Sequence, residues 1–407
     1  MKNDKILLLF TSSFPFGKGE EFLETEIIYV AKAFKEVHIF PLKQEGPRRE
    51  IPSNVKTISS PLYQKYKTGN MILRNGFFAL GFYLRQILLT KNKKKYIFKF
   101  YHHLRYLFHR INDAEKLGAL MQEYNTSRIV IYSFWFNMWV TVLILARKKN
   151  FFNYPILTRA LGGDFIEARR KSGYFPFRST ELLHIDKIIP NSNFGKEYLK
   201  QNYSVSDKKV YVSYLGVSEN GTNPSNSSNE YHLVSCSFML PVKRIHLIVE
   251  ILKHIPLKIK WTHIGEGALI EEIKQAALSL NSNVSTNFTG YISKEEMVNF
   301  YKNTPIDLFM NVSEMEGLPV SVTEAMSYGI PSTGCKTCGV PEIVTEKTGF
   351  LFPKYFEPEK AAAIIQNYLS RDHSYKVNFR KQVKNFWLEK FNADKIYPEF
   401  IQNFLSD

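Results

Sequence analysis

Short apolar runs alternate along the chain with segments whose apolar residues recur every three or four positions. The recurring segments predict helices at about 20–34, 244–253, 267–279, 293–302 and 320–328. Continuous apolar strands alternating with amphipathic helices are typical of a parallel sheet covered on both faces. The pattern therefore predicts an α/β fold with two doubly wound sheets. The apolar runs predict strands at Lys5–Phe10, Val37–Leu42, Arg128–Tyr132, Pro155–Thr158, Lys187–Pro190, Tyr231–Ser235, Ile259–Ile264, Val284–Phe288, Asp307–Met310 and Ile330–Thr333.

Length and one polar segment predict the domain organisation. At roughly 150 residues per domain, a chain of 407 residues predicts two or three domains. Residues 218–230 are rich in Gly, Pro, Asn and Ser, which is typical of a linker. They would join a domain at 1–217 to a second at 231–384, followed by an aromatic, helical tail at 385–407. Ligands of such sheets bind beyond the carboxyl ends of the strands, and a cleft between two sheets is a natural site.

The excess of positive charge is concentrated in one stretch. Residues 51–110 contain twelve Lys and Arg and no Asp or Glu, and so carry +12 of the net charge of +16. Phe, Tyr and Leu are interleaved with these cations in an insert of two or more predicted helices at about 60–125. The combination favours an anionic membrane surface as partner. Nucleic-acid binding and a plain solvated helix face are the alternatives, and the many leucines argue against nucleic acid.

No apolar run reaches the roughly 18–20 residues needed to span a bilayer, and the first residues lack the apolar core of a signal peptide. Three Cys in the whole chain fit a reducing compartment. Cys335 and Cys338 form a single C-x-x-C that lacks the second pair of a structural zinc site, so we expect free thiols rather than a metal or redox centre. The expected location is the cytoplasm.

The segment 307–352 carries the most chemical information. A buried strand is followed by a polar loop, and Pro319 stands where a helix should begin. The backbone N–H groups near the start of that helix would form a site for a phosphate or another anion. Glu316 lies in the loop and Glu324 in the second helical turn, where a carboxylate can accept hydrogen bonds from a vicinal diol. Two solvated glutamates on a surface helix are the alternative. The N–H groups are those near Gly317, Leu318, Val320 and Ser321.

The order of residues from Glu316 to Met326, with seven residues between Glu316 and Glu324, resembles the signature of family 4 retaining glycosyltransferases. The flanks Gly329-Ile-Pro331, Gly339-Val-Pro-Glu342 and Thr348-Gly349 are also similar to that family. The resemblance implies the GT-B fold, in which two Rossmann-like domains face a central cleft. It covers most of the chain and is interrupted at the basic insert.

Further landmarks extend the resemblance to both halves. Lys243, followed by Arg244, matches the position where a Lys holds the donor diphosphate. Gly265 matches a glycine turn, and Tyr291 with Ile292 matches the loop that receives the nucleotide base. In the first half, the cleft or acceptor side would include Gly17, Gly19, Arg159 and Asp164. The tail at 385–407 resembles the helix that crosses back to the first domain.

The resemblance implies that a sugar is transferred with retention from a UDP- or GDP-sugar, as substrate, to a glycan or lipid-linked acceptor, without a cofactor or metal. Lys243 and the helix N-terminus would stabilise the leaving diphosphate, Glu316 would hold the sugar and Glu324 the ribose. Together with the basic insert, this predicts bacterial surface polysaccharide or lipopolysaccharide synthesis by a peripheral protein on the inner face of the cytoplasmic membrane.

Two departures from the family pattern leave alternatives open. Phe238 replaces an Arg usually found five residues before the diphosphate Lys, and Leu161 replaces a frequent His near the transferred sugar. One alternative is a nucleotide-sugar epimerase of the same fold. The other is a non-catalytic, membrane-associated protein that binds nucleotide sugars.

Overall fold

The computed structural model describes residues 3–60, 62, 69–91, 93–124 and 128–406. These residues form two compact units. Unit 1 comprises Met1–Ser213 with Tyr397–Asp407, and unit 2 comprises Tyr214–Ile396. Each unit contains one parallel sheet of six strands, so the predicted α/β fold with two doubly wound sheets is confirmed.

The sheet of unit 1 has the strand order β3-β2-β1-β4-β5-β6. Its central strand, β1, pairs in parallel with both β2 and β4. The run Leu7–Phe10 in β1 is buried, because both faces of a parallel sheet are covered by helices. The six strands are β1 Asn3–Thr11, β2 Phe34–Pro41, β3 Val55–Thr57, β4 Ile129–Ser133, β5 Ile156–Ala160 and β6 Lys187–Pro190.

Eight α-helices belong to the described part of unit 1. The predicted basic insert contains three of them, α2 to α4, which confirms its helical character. Ser192 caps α8 by accepting a hydrogen bond from Gly195 N at 3.0 Å, which satisfies a donor left free at a helix start. The helices are α1 Phe22–Ala33, α2 Gly69–Leu89, α3 Lys93–Phe98, α4 Phe100–Met121, α5 Met138–Lys148, α6 Gly162–Phe165, α7 Arg178–His184 and α8 Asn193–Tyr203.

The sheet of unit 2 has the order β12-β11-β10-β7-β8-β9. Leu233, Trp261 and Leu308, on three adjacent strands, belong to one buried cluster that α9 and α13 cover. The other face is covered in part by α12 and α14. The strands are β7 Tyr231–Cys236, β8 Ile259–Ile264, β9 Val284–Gly290, β10 Leu308–Phe309, β11 Ser332–Cys335 and β12 Gly349–Phe352; the helices are α9 His246–Lys253, α10 Ile270–Ala277, α11 Lys294–Asn303, α12 Val320–Ser327, α13 Pro358–Leu369 and α14 His373–Lys390.

The boundaries of the units differ from the predicted domains. Residues 218–230, predicted as a linker, belong to unit 2, because Asn223 is buried there and its amide donates to the carbonyl oxygens of Tyr301 and Thr304 at 2.6 and 2.7 Å. The predicted tail at 385–407 is also divided. The last helix, α15 Ala393–Phe400, begins in unit 2, and the chain joins unit 1 at Tyr397.

Contacts within unit 1 explain where the returning chain is held. The ring of Tyr397 lies 5.2 Å from that of Tyr29, and Lys5 Nζ donates to Ser406 O at 2.6 Å. The short strands β3 and β12 were not predicted, because runs of three and four residues carry little periodic signal. Among the helices of the described residues, none combines the length and apolarity required to cross a bilayer.

Candidate active site

Two loops at the carboxyl edge of the sheet in unit 2 are joined by a main-chain hydrogen bond. One loop follows β7, and the other connects β10 to α12. Glu314 N, in the second loop, donates to Val242 O in the first at 2.8 Å. Because β7 and β10 are adjacent parallel strands, residues that follow them meet at the same edge of the sheet. The predicted donor residues Lys243 and Glu316 lie on these two loops.

Lys243 and Glu316 form an ion pair in which Lys243 Nζ donates to Glu316 Oε1. The lysine side chain is 20% exposed and the glutamate side chain 9%. A partly buried pair is screened less by water and salt than a surface pair. The structure thus brings together the two residues predicted to be catalytic, 73 positions apart in sequence, and leaves part of the cation accessible to an incoming anion.

Arg244 is engaged differently from the prediction. The residue has a left-handed backbone, with φ of 51°, and its guanidinium reaches the loops after β10 and β12 and the end of β11. Nε donates to Val312 O at 2.9 Å, and Nη1 donates to Lys354 O at 2.8 Å. Nη2 lies 3.2 Å from Cys335 Sγ. Its donors are therefore directed to the protein, so Arg244 positions the loops around Lys243, and the predicted direct contact with the donor is not supported by this geometry.

The cysteines of the C-x-x-C segment are free thiols in the structure, as is Cys236. Burial is the main cause that raises the pKa of Cys335, to about 11, and it also raises the pKa of Cys338. Both side chains are therefore protonated near neutral pH. Within the residues that the structure describes, no group of three His, Cys, Asp or Glu side chains has a geometry suited to a metal ion.

The start of α12 presents a positive helix end beside the Glu316 loop. Pro319 has an extended backbone and occupies the N-cap position, so the helix begins at Val320, one residue later than predicted. No side chain caps the helix. Val322 N donates to Pro319 O at 3.2 Å, whereas the N–H groups of Val320 and Ser321 are among those that a helix start leaves without an intrahelical acceptor. Leu318 is buried and anchors the loop through the core. The predicted anion site at Gly317 to Ser321 therefore has a helix N-terminus in the expected place.

Glu324 lies in the second turn of α12 and is half-buried. Burial first, and then the negative charge of Glu324, raise the pKa of Tyr328 to about 12. Burial is also the main cause that raises the pKa of Tyr301 well above its ordinary value, followed by Cys236 and then by the charge of Glu324. The carboxylate of Glu324 therefore lies near the stacked rings of Tyr301 and Tyr328, whose centroids are 5.0 Å apart.

The turn after β8 requires glycine for steric reasons. Gly265 has φ of 133°, and a Cβ there would lie 2.1 Å from Ser237 O. Gly265 N donates to Gly290 O at 2.9 Å, which brings the predicted base loop, Tyr291 and Ile292, next to this turn. Tyr291 is exposed, whereas Ile292 packs against the core. Phe238, which occupies the usual Arg position, is also exposed.

A buried histidine supports the same turn. His263 Nδ1 lies 2.8 Å from Ser235 Oγ, and Nε2 lies 3.1 Å from Ser237 O. The carbonyl must accept, so Nε2 carries a proton and Nδ1 accepts from the Ser235 hydroxyl. Burial lowers the pKa of His263 to about 4. A neutral imidazole thus holds the carbonyl that packs against Gly265.

In unit 1, the predicted glycine loop after β1 is organised by Glu20, a residue to which the sequence analysis gave no role. Its carboxylate accepts from Ser12 N at 3.0 Å and from Ser13 N and Phe14 N at 2.6 Å each, and also from Trp135 Nε1. Glu20 is buried, and such charge-assisted bonds are stronger than neutral ones. The available signal was a charged residue immediately after the two glycines of a turn.

Gly17 and Gly19 both have positive φ. A Cβ on Gly17 would lie 2.8 Å from Glu45 O. Arg49 Nη2 donates to the carbonyl oxygens of Gly17 and Gly19 at 2.6 and 2.5 Å. The predicted loop is therefore fixed by its neighbours within unit 1, and the two glycines supply the backbone conformation and the close approach that this packing needs.

Arg159 does not line a surface, in contrast to its predicted place on the acceptor side. It is fully buried, with Nε donating to the Tyr132 hydroxyl at 2.8 Å and Nη1 donating to Ser213 O at 2.9 Å. Glu26 supplies the balancing charge, with Oε2 at 3.4 Å from Nε. The ring of Phe400 lies 4.1 Å from the guanidinium carbon. Arg159 therefore holds the sheet, α1 and the returning C-terminal chain together.

Asp164 is also largely enclosed. Its Oδ2 accepts from Leu161 N at 3.1 Å and from Phe136 N at 3.4 Å. Burial raises the pKa of Asp164 to about 6, against the lowering effects of these N–H groups and of Arg178. Leu161, where the family often has His, is buried as well. The carboxylate shapes the start of α6, and a contact with an acceptor stays a prediction.

Comparison with known proteins gives a family match within unit 2. Residues 220–386 match the sequence model described as "Glycosyl transferases group 1". The sulfoquinovosyl transferase of Arabidopsis thaliana is 27% identical over 181 residues, which are 40% of this chain and 34% of that protein. A putative colanic acid biosynthesis glycosyltransferase of Escherichia coli (strain K12) is 23% identical over 180 residues, 42% of this chain and 44% of that protein. The chain thus matches less than half the length of these curated relatives.

The similarity of structure extends over the whole chain. The crystal structure of Anabaena HepE in complex with UDP superimposes with a TM-score of 0.67 and 18% identity, covering 99% of this chain and 100% of that one. At this level of identity the similarity establishes the fold alone. The predicted GT-B fold class is therefore confirmed.

Proposed function

Because residues 220–386 belong to the glycosyl transferases group 1 family, we propose that the chain is a glycosyltransferase that takes a sugar from a nucleotide diphosphate donor, with retention at the anomeric carbon. The observation that carries the proposal is the contact between Lys243 and Glu316 on the loop that leads into α12. At the carboxyl edge of this sheet, a cation and a helix N-terminus are suited to bind a diphosphate, and a carboxylate is suited to bind the hydroxyl groups of the attached sugar. Binding of UDP by the structural neighbour from Anabaena supports a uridine donor.

The ion pair suggests how the donor would be received. Glu316 neutralises Lys243, so an arriving diphosphate would compete with Glu316 for the ammonium group. The diphosphate would lie between Lys243 and the N–H groups at the start of α12, where the negative charge of the leaving group is stabilised as the glycosidic bond breaks. Glu316, released from Lys243, would accept hydrogen bonds from the sugar hydroxyls and orient the sugar.

Glu324 would accept from the ribose hydroxyls of the donor, one helical turn beyond the anion site. The acceptor proposed here is a glycan or a lipid-linked glycan in surface polysaccharide or lipopolysaccharide synthesis, at the inner face of the cytoplasmic membrane. The colanic acid relative and the basic, aromatic helices of unit 1 support this choice. The departure at Phe238 is compatible with it because Lys243 supplies a diphosphate cation, and the departure at Leu161 leaves Glu316 as the group proposed to orient the sugar.

The test is release of nucleoside diphosphate from a panel of UDP- and GDP-sugars, first ranked by thermal shift, in the presence of lipid-linked glycan acceptors. Glu316→Ala should reduce turnover far more than donor affinity, because it removes the group proposed to orient the sugar and leaves the diphosphate contacts. The control is Lys354→Gln, which removes a nearby cation that pairs with Glu314. Donor binding without turnover on any acceptor would favour the non-catalytic alternative, and interconversion of the nucleotide sugar itself would favour the epimerase.

A further inference from the structure

The structure divides the aromatic residues of the basic insert into two groups. Tyr83, Tyr96 and His103 face inwards, so they are not available to a membrane as the sequence suggested. The rings of Tyr96 and His103 stack at 4.5 Å, and Tyr83 Oη donates to Tyr96 O at 2.7 Å. All three are buried. These rings hold α2, α3 and α4 to one another and to the rest of unit 1.

The second group faces outwards. Phe77 and Leu88 on α2 are 96% and 76% exposed, and Phe98 at the end of α3 is 90% exposed. Leu80 and Leu84, also exposed, continue the same face of α2, since residues three, four and seven positions apart share one side of a helix. Exposed apolar side chains that adjoin one another along a helix are unusual on a protein that stays in water and mark a binding surface.

A second basic segment, distant in sequence, lies beside α3. Arg169, Arg170 and Lys171 are exposed in the loop after α6. That loop runs on to Phe177 and is bound to α3, because Phe177 N donates to the Tyr96 hydroxyl at 3.0 Å and Tyr96 Oη donates to Phe175 O at 3.2 Å.

Cations of the two segments contact neighbouring aromatic rings of this loop, and the guanidinium carbon of Arg170 lies 4.8 Å from the ring centre of Phe175. Lys95 Nζ and Lys99 Nζ lie 5.8 and 5.6 Å from the ring centre of Tyr174, which belongs to the same loop. Cations about 70 positions apart in sequence therefore lie close together in unit 1.

We propose that this composite surface docks on an anionic lipid bilayer; it consists of the outer face of α2, the exposed part of α3 with the residues that flank it, and the loop at 169–171. The apolar side chains would enter the boundary between headgroups and acyl chains, and the cations would meet lipid phosphates. Charge complementarity favours lipid over a protein partner, because the exposed apolar face of α2 and the exposed lysines at 91–95 lie in a stretch, 51–110, that contains no Asp or Glu. The exposed cations are Lys91, Lys93, Lys94, Lys95, Arg169, Arg170 and Lys171.

The proposal deepens the proposed function in one respect, and that part rests on it. Residues 169–171 follow shortly after α6, which ends at Phe165, and Asp164 in α6 was predicted on the acceptor side. A bilayer bound at the loop would therefore lie next to the part of unit 1 that is expected to receive the acceptor. A lipid-linked acceptor embedded in that bilayer would not need to leave it.

The test is flotation of the full chain with vesicles of phosphatidylglycerol and phosphatidylcholine, compared with phosphatidylcholine alone, at low and high salt. Arg169→Gln, Arg170→Gln and Lys171→Gln together should weaken binding to anionic vesicles at low salt about tenfold or more, since each cation near an anionic leaflet contributes on the order of a fivefold effect. Phe77→Ser with Leu88→Ser should remove the fraction of binding that survives high salt, because salt does not screen apolar burial.

Matched controls separate the surface from net charge and general apolarity. Lys274→Gln, Lys360→Gln and Lys381→Gln remove the same charge from exposed positions in unit 2, and Leu278→Ser removes an exposed leucine there; both should bind as wild type does. Equal binding of the loop variant and its control, or no preference of wild type for anionic vesicles, would overturn the proposal. UDP binding by thermal shift on the same preparations tells failure of docking from failure of the proposed function.

Discussion

Charged residues at the strand ends of the two units have different surroundings. In unit 1, Arg159 and Glu26 form a fully buried pair, and Glu20 is enclosed by main-chain donors and Trp135. In unit 2, the pair of Lys243 and Glu316 keeps some exposure and lies on the loop that leads to a helix N-terminus. The first set satisfies its charges inside the protein, whereas the second can exchange a partner for a ligand.

This difference shows what a sequence match leaves open. Arg159 and Lys243 were both matched to family landmarks in the same way, yet one braces a domain and the other lies at a candidate binding edge. Burial and the identity of the hydrogen-bond acceptors distinguish the two cases. Variants in the two units should therefore separate stability from ligand binding.

Replacing Arg159 with Met is expected to have the largest effect on stability. Glu26 would lose its cation while remaining buried, and breaking a buried pair costs about 3–5 kcal/mol. Hydrogen exchange measured by mass spectrometry should show faster exchange in β1, β4 and β5 of unit 1, with unit 2 and its binding of UDP unchanged. Combining the change with Glu26→Gln should recover part of the loss. Protection equal to that of wild type in the single variant would contradict the structural role of the pair.

Lys243→Gln should have the opposite profile. It removes the cation proposed to stabilise the leaving diphosphate, and loss of one such group typically lowers turnover by about 10²–10³-fold. Exchange rates in β7 and β10 should change less than those of unit 1 in the Arg159 variant, because the pair of Lys243 and Glu316 keeps some contact with water whereas the pair of Arg159 and Glu26 is fully buried. Steady-state kinetics with the preferred donor would measure the effect, with Lys354→Gln as the matched control. A Lys243 variant that retains full turnover would place the diphosphate elsewhere.

Glu324→Ala should weaken donor binding by about 1.5–3 kcal/mol, the contribution of a hydrogen bond to a charged group. The loss should appear with UDP alone in calorimetry, because the proposed contact is to the ribose and not to the sugar. Glu314→Ala changes another acidic residue of the same region and should leave the affinity unchanged. Equal losses in the two variants would point to a general electrostatic effect and not to a ribose contact.

The sequence predicted the elements with strong periodicity and the chain positions of the candidate site. Strands β6 and β8 have the predicted limits, and α12 begins directly after Pro319. These segments are long or bounded by clear turn residues, so local pattern was sufficient. The resemblance assigned Lys243 and Glu316 to the same donor site, which no local pattern could do for residues 73 positions apart, but it did not predict that they form an ion pair.

The remainder depends on packing that no local pattern encodes. Whether Arg159 faces a ligand or the core is decided by α1 and the C-terminal chain, both remote in sequence. The polar segment at 218–230 has the composition of a linker, but the buried amide of Asn223, together with the bond from Asn226 Nδ2 to Asp307 Oδ2 at 2.6 Å, fixes it to unit 2. In the insert, the buried and the exposed aromatic residues are of the same types. What distinguishes them is whether they pack against the loop that ends at Phe177.

The smallest expected effect concerns pH and the histidine that supports the Gly265 turn. Burial places the pKa of His263 at about 4 in the folded state, against about 6.5 for an unfolded histidine. Between these values the unfolded chain binds more protons than the folded one, so the stability of unit 2 falls as the pH is lowered. The expected loss from this residue between pH 7 and pH 5.5 is about 1 kcal/mol.

His263→Gln can donate to Ser237 O and accept from Ser235 Oγ without titrating, so it should flatten this part of the pH profile. His246→Gln, a change at an exposed histidine of α9, should not. Urea unfolding at several pH values, followed by hydrogen exchange in β8, would measure the difference, and an identical pH slope in wild type and His263→Gln would show that the imidazole is not the group that titrates.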